Sequence, residues 1–264
     1  DYCSSEDLDH AWNIVYINNK PYHVDVTWGD PTRDVSGRAL HDNFLRSTEG
    51  IKATGHNADD FTTTPTDTTY DEYFWQDSGT AFQLIDNTIY YVDNCLRDKT
   101  QGTKVGKLIA LDGIKDTTPE VLKEFEYTWY FDKEAGSYWQ DNYTKLGSIR
   151  DLLYYSTPES VCSYNPATGE TKELISAEDI IENYGDENLS IFGFTTYKCF
   201  YFGEYSNTPG YSATTKEKYF TGVNHNPTEN WKVVIEPTYS SEGKEKNYCI
   251  DCGAEVGSRL VPAL

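Results

Sequence analysis

Residues 10–31 read HAWNIVYINNKPYHVDVTWGDP, and this stretch decides the fold of the first part of the chain. Two apolar or alternating runs flank Asn18 and Asn19. Asparagine tolerates the positive φ that a tight turn between antiparallel strands requires. The stretch therefore predicts a β-hairpin with Asn18-Asn19 as its two-residue turn, and the resulting strand pairing places Trp12 opposite Asp25.

The predicted hairpin brings His10 close to Asp25. The two are diagonal neighbours on one face of the paired strands, where Cα atoms lie about 7–8 Å apart, within reach of an imidazole and a carboxylate. A carboxylate that accepts from one imidazole nitrogen fixes the tautomer, and the other nitrogen can then take a proton from a nucleophile. His10 and Asp25 are therefore candidate catalytic residues that supply two members of a triad.

This run resembles the second half of the transglutaminase-like superfamily core. In that family a Cys-His-Asp triad has a papain-like arrangement, with the histidine and the aspartate on adjacent strands. His10 matches the family histidine and Asp25 the family aspartate. The resemblance implies a cysteine hydrolase or acyltransferase acting on peptide or glutamine amides. It also implies that Trp12, Asn13 and Trp28 are substrate-cleft or supporting residues.

Further motifs extend the resemblance over residues 1–75. HDNFLRS at residues 41–47, Gly55-His56 and YDEYFW at residues 70–75 look like the downstream elements of bacterial secreted members. Together with the resemblance of residues 223–264 to modules of surface proteins, described below, this implies an extracellular or wall-associated protein. Its partners would be a protein or peptide substrate and cell-wall components.

The position of the nucleophile departs from the family pattern. The family cysteine begins a helix a few tens of residues before the histidine, where the helix N-terminus lowers the thiol pKa. Cys3 is the one cysteine before His10, and it stands in the acidic run DYCSSED. Neighbouring carboxylates raise a thiol pKa, so Cys3 is a weak candidate nucleophile. We expect the nucleophile helix to lie upstream of this chain; a scaffold that has lost its cysteine is the alternative.

The other histidines of this region are predicted to be structural or exposed to solvent. His23 alternates with Asp25 and is predicted to be structural. His41 and His56 are predicted to be solvated loop residues, since no HxH or HxxxH spacing supports a metal site. The sequence therefore predicts no metal site and no cofactor here.

Residues 76–222 predict a Tyr-rich antiparallel β-repeat region. The runs IYYV at 89–92 and LYYS at 153–156 resemble each other, with FYF at 200–202 as a looser copy. The strand-turn-strand pattern is typical of a β-meander or a partial propeller, and an irregular antiparallel sandwich is an equal alternative. The two best short helix candidates are 177–184, with Ser176 as N-cap, and 119–124.

Residues 223–264 predict a small β module with a CxxC pair. Cys249 and Cys252 with the nearby His225 leave a zinc site one ligand short, so a local disulfide or free thiols are favoured over a metal. The module resembles small repeat modules at the ends of Firmicute surface proteins. The three ranges 1–75, 76–222 and 223–264 are the predicted domains.

Composition limits the classes of function. The formal net charge is −21 and aromatic residues make up 15% of the chain. Nucleic acid and anionic membranes require clustered cations, and no apolar run is long enough to span a membrane. The predicted fold is mainly β, α+β overall. The alternative to an enzyme is a non-catalytic surface protein that binds glycans or proteins, or acts as a spacer, on a degenerate transglutaminase-like scaffold.

Overall fold

The structure is a computed structural model that describes residues 2–5, 9–30, 39–57, 60–61, 63–93, 104–113, 118–139, 143–206 and 218–264. Strands dominate these residues and form several antiparallel sheets, with no closed barrel. The predicted mainly β class is confirmed. Among the described helices, none is long and apolar enough to cross a membrane.

The first part of the chain forms a five-stranded sheet, the N-terminal sheet, with the strand order β4-β3-β2-β1-β5. Its strands are β1 (Tyr2–Ser5), β2 (His10–Ile17), β3 (Lys20–Val24), β4 (Phe44–Arg46) and β5 (Asp60–Phe61). Two short helices, α1 (Val26–Gly29) and α2 (Thr48–Ala53), follow β3 and β4, and a 3-10 helix covers Phe74–Asp77.

The predicted hairpin of β2 and β3 is present with its predicted turn. Asn18 and Asn19 have φ values of 50° and 63°, as a two-residue turn with left-handed residues requires. The pairing continues from the turn as far as Asn13 opposite Val24. It ends one pair short of Trp12 and Asp25, because Asp25 leaves the strand to cap α1.

The middle of the chain forms three antiparallel meander sheets. The first meander sheet contains β6 (Gln83–Ile85), β7 (Thr88–Asp93), β8 (Lys104–Asp112) and β9 (Glu120–Tyr127). The second contains β12 (Leu146–Ile149), β13 (Leu152–Ser156), β14 (Ser160–Tyr164) and β15 (Thr171–Ser176). The third contains β16 (Ser190–Tyr197), β17 (Phe200–Ser206) and β18 (Lys218–Val223). Between the first two sheets in sequence, the chain forms a small hairpin of β10 (Tyr130–Asp132) and β11 (Ser137–Tyr138).

The internal repeat of the sequence corresponds to the second strand of each meander sheet, namely β7, β13 and β17. The second sheet is packed between the other two. Tyr155 joins the cluster that contains Tyr90 of the first sheet, and Tyr154 joins the cluster that contains Tyr201 of the third. Alternate residues of β13 thus face opposite neighbours, as the two-residue period of a strand requires.

One of the two helix predictions for this region is confirmed. Helix α3 covers Ala177–Tyr184, the Ser176 hydroxyl accepts from the amide of Glu178, and Gly185 ends the helix with φ 68°. The helix predicted over 119–124 is wrong, because this segment belongs to strand β9. There, pairing with β8 and packing against the first meander core override local helix propensity.

The C-terminal module, residues 223–264, forms a three-stranded sheet of β19 (Lys232–Ile235), β20 (Gly243–Tyr248) and β21 (Glu255–Val261). All four residues of β19 are exposed. Cys249 is the one buried apolar side chain of the module, and none of its described residues joins a hydrophobic core cluster. Apolar burial therefore contributes little to the stability of this module.

Candidate functional site

The end of the hairpin places Asp25 at the centre of a buried polar cluster. Its Oδ2 atom lies 2.5 Å from Nε2 of His10 and 2.7 Å from Nε2 of His56. Its Oδ1 atom accepts from the amides of Thr27 at 2.9 Å and Trp28 at 3.1 Å. Four donors thus occupy the acceptor capacity of one carboxylate. We call His10, Asp25 and His56 the histidine cluster.

These donors keep the Asp25 carboxylate ionised. Burial of the side chain, which is 3% exposed, raises the pKa of Asp25. The hydrogen bonds from His56 and His10 and from the Trp28 amide act in the opposite direction, and the pKa lies below its usual value. Because an ionised carboxylate only accepts hydrogen bonds, Nε2 of both histidines carries a proton.

Two tryptophan rings fix the imidazole of His10. The rings of Trp12 and Trp28 stack on it with centroid distances of 5.7 and 5.4 Å and interplanar angles of 25° and 19°. The His10 side chain is 13% exposed. Since Nε2 bonds to Asp25, the nitrogen that can exchange protons with another group is Nδ1. Within the described residues, no hydrogen-bond partner of Nδ1 is found.

Most residues predicted for the site meet in this cluster. Trp12 and Trp28 both contact His10. Asn13 does not take part, because it is exposed on the opposite face of β2. Cys3 lies on β1, paired opposite Trp12, and so stands on a strand and not at the start of a helix. Its side chain lies outside the described part of the chain.

His56 is the member of the cluster that the sequence did not reveal. The prediction of a solvated loop residue is wrong, since its side chain is 1% exposed. Its Nδ1 atom lies 3.1 Å from Oγ1 of Thr54, and that hydroxyl donates to the carbonyl of Ile51 at 2.7 Å. Both ring nitrogens of His56 are therefore held by hydrogen bonds, Nε2 to Asp25 and Nδ1 to Thr54. Gly55-His56 directly after α2 was the one available signal.

His23 lies beside the histidine cluster and contacts it through Trp12, which fits its predicted structural role. Trp12 donates from Nε1 to Nδ1 of His23 at 3.0 Å, so the proton of His23 is on Nε2, which donates to Oγ1 of Thr48 at 3.1 Å. Burial, with a smaller contribution from His56, lowers the pKa of His23 to about 4. His23 is therefore neutral and holds the ring of Trp12.

The second prediction of a solvated histidine is also wrong. His41 is half-buried, its Nδ1 donates to the carbonyl of Ser78 at 3.0 Å, and its ring packs on Phe82 at 4.5 Å. Burial lowers the pKa of His41. It lies outside the histidine cluster and connects the N-terminal sheet with the beginning of the meander region.

A second cluster of ligand-bearing side chains lies at the C-terminal module. Cys249 and Cys252 are free thiols, which is one of the two predicted states; the other, a local disulfide, is not formed. They lie beside His225 and Cys199, and the four ligand atoms are all within 4.8 Å of one another. We call these four residues the cysteine cluster. The expectation that His225, Cys249 and Cys252 would lack a fourth ligand is wrong, because Cys199 of the third meander sheet lies beside them.

Comparisons with known proteins contribute little to either cluster. No family model matches the chain, and no curated protein sequence matches it. Among solved structures, the AfRom2 CNH domain is similar over 91% of this chain and 73% of its own, at 12% identity and a TM-score of 0.29. A likeness of this size carries no argument about fold or function.

Proposed function

We propose that this chain carries the proton-transfer half of a transglutaminase-like thiol centre, which hydrolyses peptide or glutamine amides or transfers their acyl group to an amine. The observation that carries the proposal is the 2.5 Å contact between Nε2 of His10 and Oδ2 of a buried, ionised Asp25. This contact orients the imidazole and leaves Nδ1 as its exchanging atom.

The chemistry follows from that orientation. A thiolate attacks the amide carbonyl, forming a carbon–sulfur bond, and His10 donates its Nδ1 proton to the departing nitrogen as the carbon–nitrogen bond breaks. His10 then takes a proton from water or an amine, which attacks the thioester and releases the sulfur. Asp25 stays ionised throughout and stabilises the imidazolium of His10.

Cys3 or a cysteine in a preceding segment would supply the sulfur. No other described cysteine lies near His10, since Cys162, Cys199, Cys249 and Cys252 belong to the meander region and the C-terminal module. The resemblance of residues 223–264 to surface-protein modules supports a site outside the cell or at the wall, with peptides as substrates.

His56 is a positioning residue in this proposal. It holds the same carboxylate oxygen as His10 but is 1% exposed and cannot reach a substrate. A second donor on Oδ2 keeps Asp25 ionised and prevents it from rotating away from His10. We therefore expect His56→Gln to lower kcat without removing activity, and to shift the acid limb of the pH profile.

The test measures ammonia release and hydroxamate formation from a glutaminyl peptide. It compares chain 1–264 with a version that also carries any segment encoded before residue 1. His10→Ala should lower kcat by about 10²–10⁴-fold in whichever protein turns over. His41→Ala is the matched control, since it removes a half-buried histidine outside the cluster. Loss of activity in Cys3→Ser would assign the sulfur to Cys3.

Two results would overturn the proposal. One is turnover that survives His10→Ala. The other is no turnover in either protein, together with binding of a wall polysaccharide that Trp28→Ala weakens. Trp28 is 38% exposed beside His10, so the second result would assign the region to the alternative function, a binding scaffold.

A further inference from the structure

Three separate elements bring the cysteine cluster together. Cys199 lies in the turn between β16 and β17 and is fully buried. His225 lies in the segment after β18, and Cys249 and Cys252 flank the turn between β20 and β21. The third meander sheet and the C-terminal module therefore meet at these four side chains.

Two nitrogen–sulfur distances in the cluster are close to those of a tetrahedral metal site. Nδ1 of His225 lies 3.8 Å from Sγ of Cys199 and 3.6 Å from Sγ of Cys252. A zinc ion with Zn–S bonds of about 2.3 Å and a Zn–N bond of about 2.0–2.1 Å places sulfur and nitrogen roughly 3.5 Å apart at a tetrahedral edge. The two nitrogen–sulfur distances thus fit edges of such a tetrahedron, and all four ligand atoms lie within 4.8 Å of one another.

Backbone hydrogen bonds close the CxxC turn and fix the positions of its two sulfur atoms. Gly253 has φ 75°, a conformation that favours glycine, and its amide donates to the carbonyl of Cys249 at 2.8 Å. The amide of Cys249 donates to the carbonyl of Ala254 at 2.8 Å, which closes the turn. The amide of Asn226 points at Sγ of Cys249 at 3.3 Å. Amide donors of this kind stabilise a sulfur that carries negative charge.

The surroundings of the cluster show what a metal would do there. The module contributes no side chain to a hydrophobic core cluster, so it needs another source of stability. Its polar contacts with the meander region converge on the same place. Arg150 pairs with Asp251 at 2.9 Å, and Asn224 donates to the hydroxyl of Tyr154 at 2.9 Å.

We propose that Cys199, His225, Cys249 and Cys252 bind one zinc ion, which fixes the C-terminal module to the third meander sheet. Three thiolates and one imidazole form a soft, four-coordinate set that suits zinc and excludes magnesium and calcium. Because the protein fills all four positions, the site is structural and leaves no position for a substrate. On binding, each thiol releases its proton to solvent.

The test begins with the metal content of chain 1–264 purified without chelators under reducing conditions. Elemental analysis should find one zinc per chain. Replacement by Co²⁺ should give the absorption of a tetrahedral thiolate complex, and this spectrum should change in His225→Cys while zinc is retained. Cys199→Ser and Cys249→Ser should lower zinc affinity by at least 10-fold. Replacing a residue that only hydrogen-bonds to a metal ligand already costs about 10-fold or more, and these two residues are ligands themselves.

Matched variants separate the cysteine cluster from the rest of the chain. Cys162→Ser replaces a buried free thiol outside the cluster, and Asp25→Asn alters the histidine cluster; both should retain one zinc. Because His225→Cys keeps four ligands, it tests the site even if Cys199→Ser fails to fold. No zinc in the wild type, a Cys249–Cys252 disulfide under reducing conditions, or an unchanged zinc affinity in Cys199→Ser and Cys249→Ser would each overturn the proposal.

Discussion

The histidine cluster and the cysteine cluster both contain imidazole nitrogens, but the neighbouring atoms differ: a carboxylate oxygen in the first and thiol sulfurs in the second. In the histidine cluster, Oδ2 of Asp25 lies 2.5 and 2.7 Å from the two Nε2 atoms, so that protons alone fit between them. In the cysteine cluster, Nδ1 of His225 lies 3.8 and 3.6 Å from two sulfur atoms, close to the nitrogen–sulfur separation along the edge of a tetrahedral zinc site. Closeness of such side chains therefore does not by itself identify a metal site; the kinds of ligand atoms and their spacing must both fit the ion.

The two clusters also differ in what surrounds them. Aromatic rings enclose the histidine cluster, with Trp28 4.1 Å from the ring of His56 and Trp12 4.8 Å from it. The cysteine cluster belongs to a module without a hydrophobic core cluster. We infer that packing stabilises the first cluster and that the second must itself stabilise the structure around it.

The largest expected effect is that of zinc removal. A chelator should unfold the C-terminal module, because structural zinc supplies on the order of 10 kcal/mol to small domains that lack a core. Hydrogen exchange followed by mass spectrometry should show deprotection of β20 and β21, while β2 and β3 stay protected. Returned zinc should restore protection, and magnesium should not.

This experiment could also reverse the comparison. If chelation deprotects β2 and β3 instead, the metal belongs to the histidine cluster and the assignment by ligand spacing is wrong. Equal protection of all strands with and without chelator would show that zinc does not stabilise the module.

The next largest effect is that of Asp25→Ala. This substitution leaves His10 and His56 without their shared carboxylate and removes the cap of α1. Removing one partner of a buried charged pair costs about 3–5 kcal/mol, so we expect the free energy of unfolding of the N-terminal sheet to fall by this amount. Urea unfolding followed by tryptophan fluorescence measures the change.

A control carboxylate lies five positions further along. Asp30 is exposed, so Asp30→Ala should change the free energy of unfolding far less than Asp25→Ala. Zinc content should be unchanged in both variants. A loss in Asp25→Ala no larger than that in Asp30→Ala would mean that the histidine cluster contributes nothing to stability.

Local features of this chain could be predicted from the sequence, whereas contacts between residues far apart in the sequence could not. The turn at Asn18-Asn19, its strand pairing, and α3 with its Ser176 cap depend on neighbouring residues, whose propensities act in the same direction as the fold. The contact between His10 and Asp25 followed from the pairing of a single hairpin. The hairpin also explains why Trp12 lies beside His10, two residues along one strand.

His56 and Cys199 were missed because each reaches its cluster through contacts between residues far apart in the sequence. His56 lies 31 residues beyond Asp25 and reaches it only after β4 and α2 have packed on the sheet. Cys199 belongs to a different sheet from the CxxC pair, so no sequence spacing relates them. The wrong helix over 119–124 has the same origin, because pairing with β8 decides its conformation.

The smallest expected effect concerns His23, the histidine beside the cluster whose two nitrogens bond to neutral partners, Trp12 and Thr48. Its folded-state pKa of about 4 lies below the ordinary value of 6.5. Between these values the unfolded chain binds a proton and the folded chain does not. The stability contributed by neutral His23 is therefore complete above pH 6.5 and falls as the pH drops to 4, by about 3 kcal/mol.

Ring NMR should show an Nε2–H tautomer at neutral pH and a midpoint near 4, whereas a midpoint near 6.5 would contradict the burial argument. In His23→Gln, stability should fall less over the same interval; His41, whose pKa is also lowered, still contributes there, so the NMR midpoint is the decisive measurement.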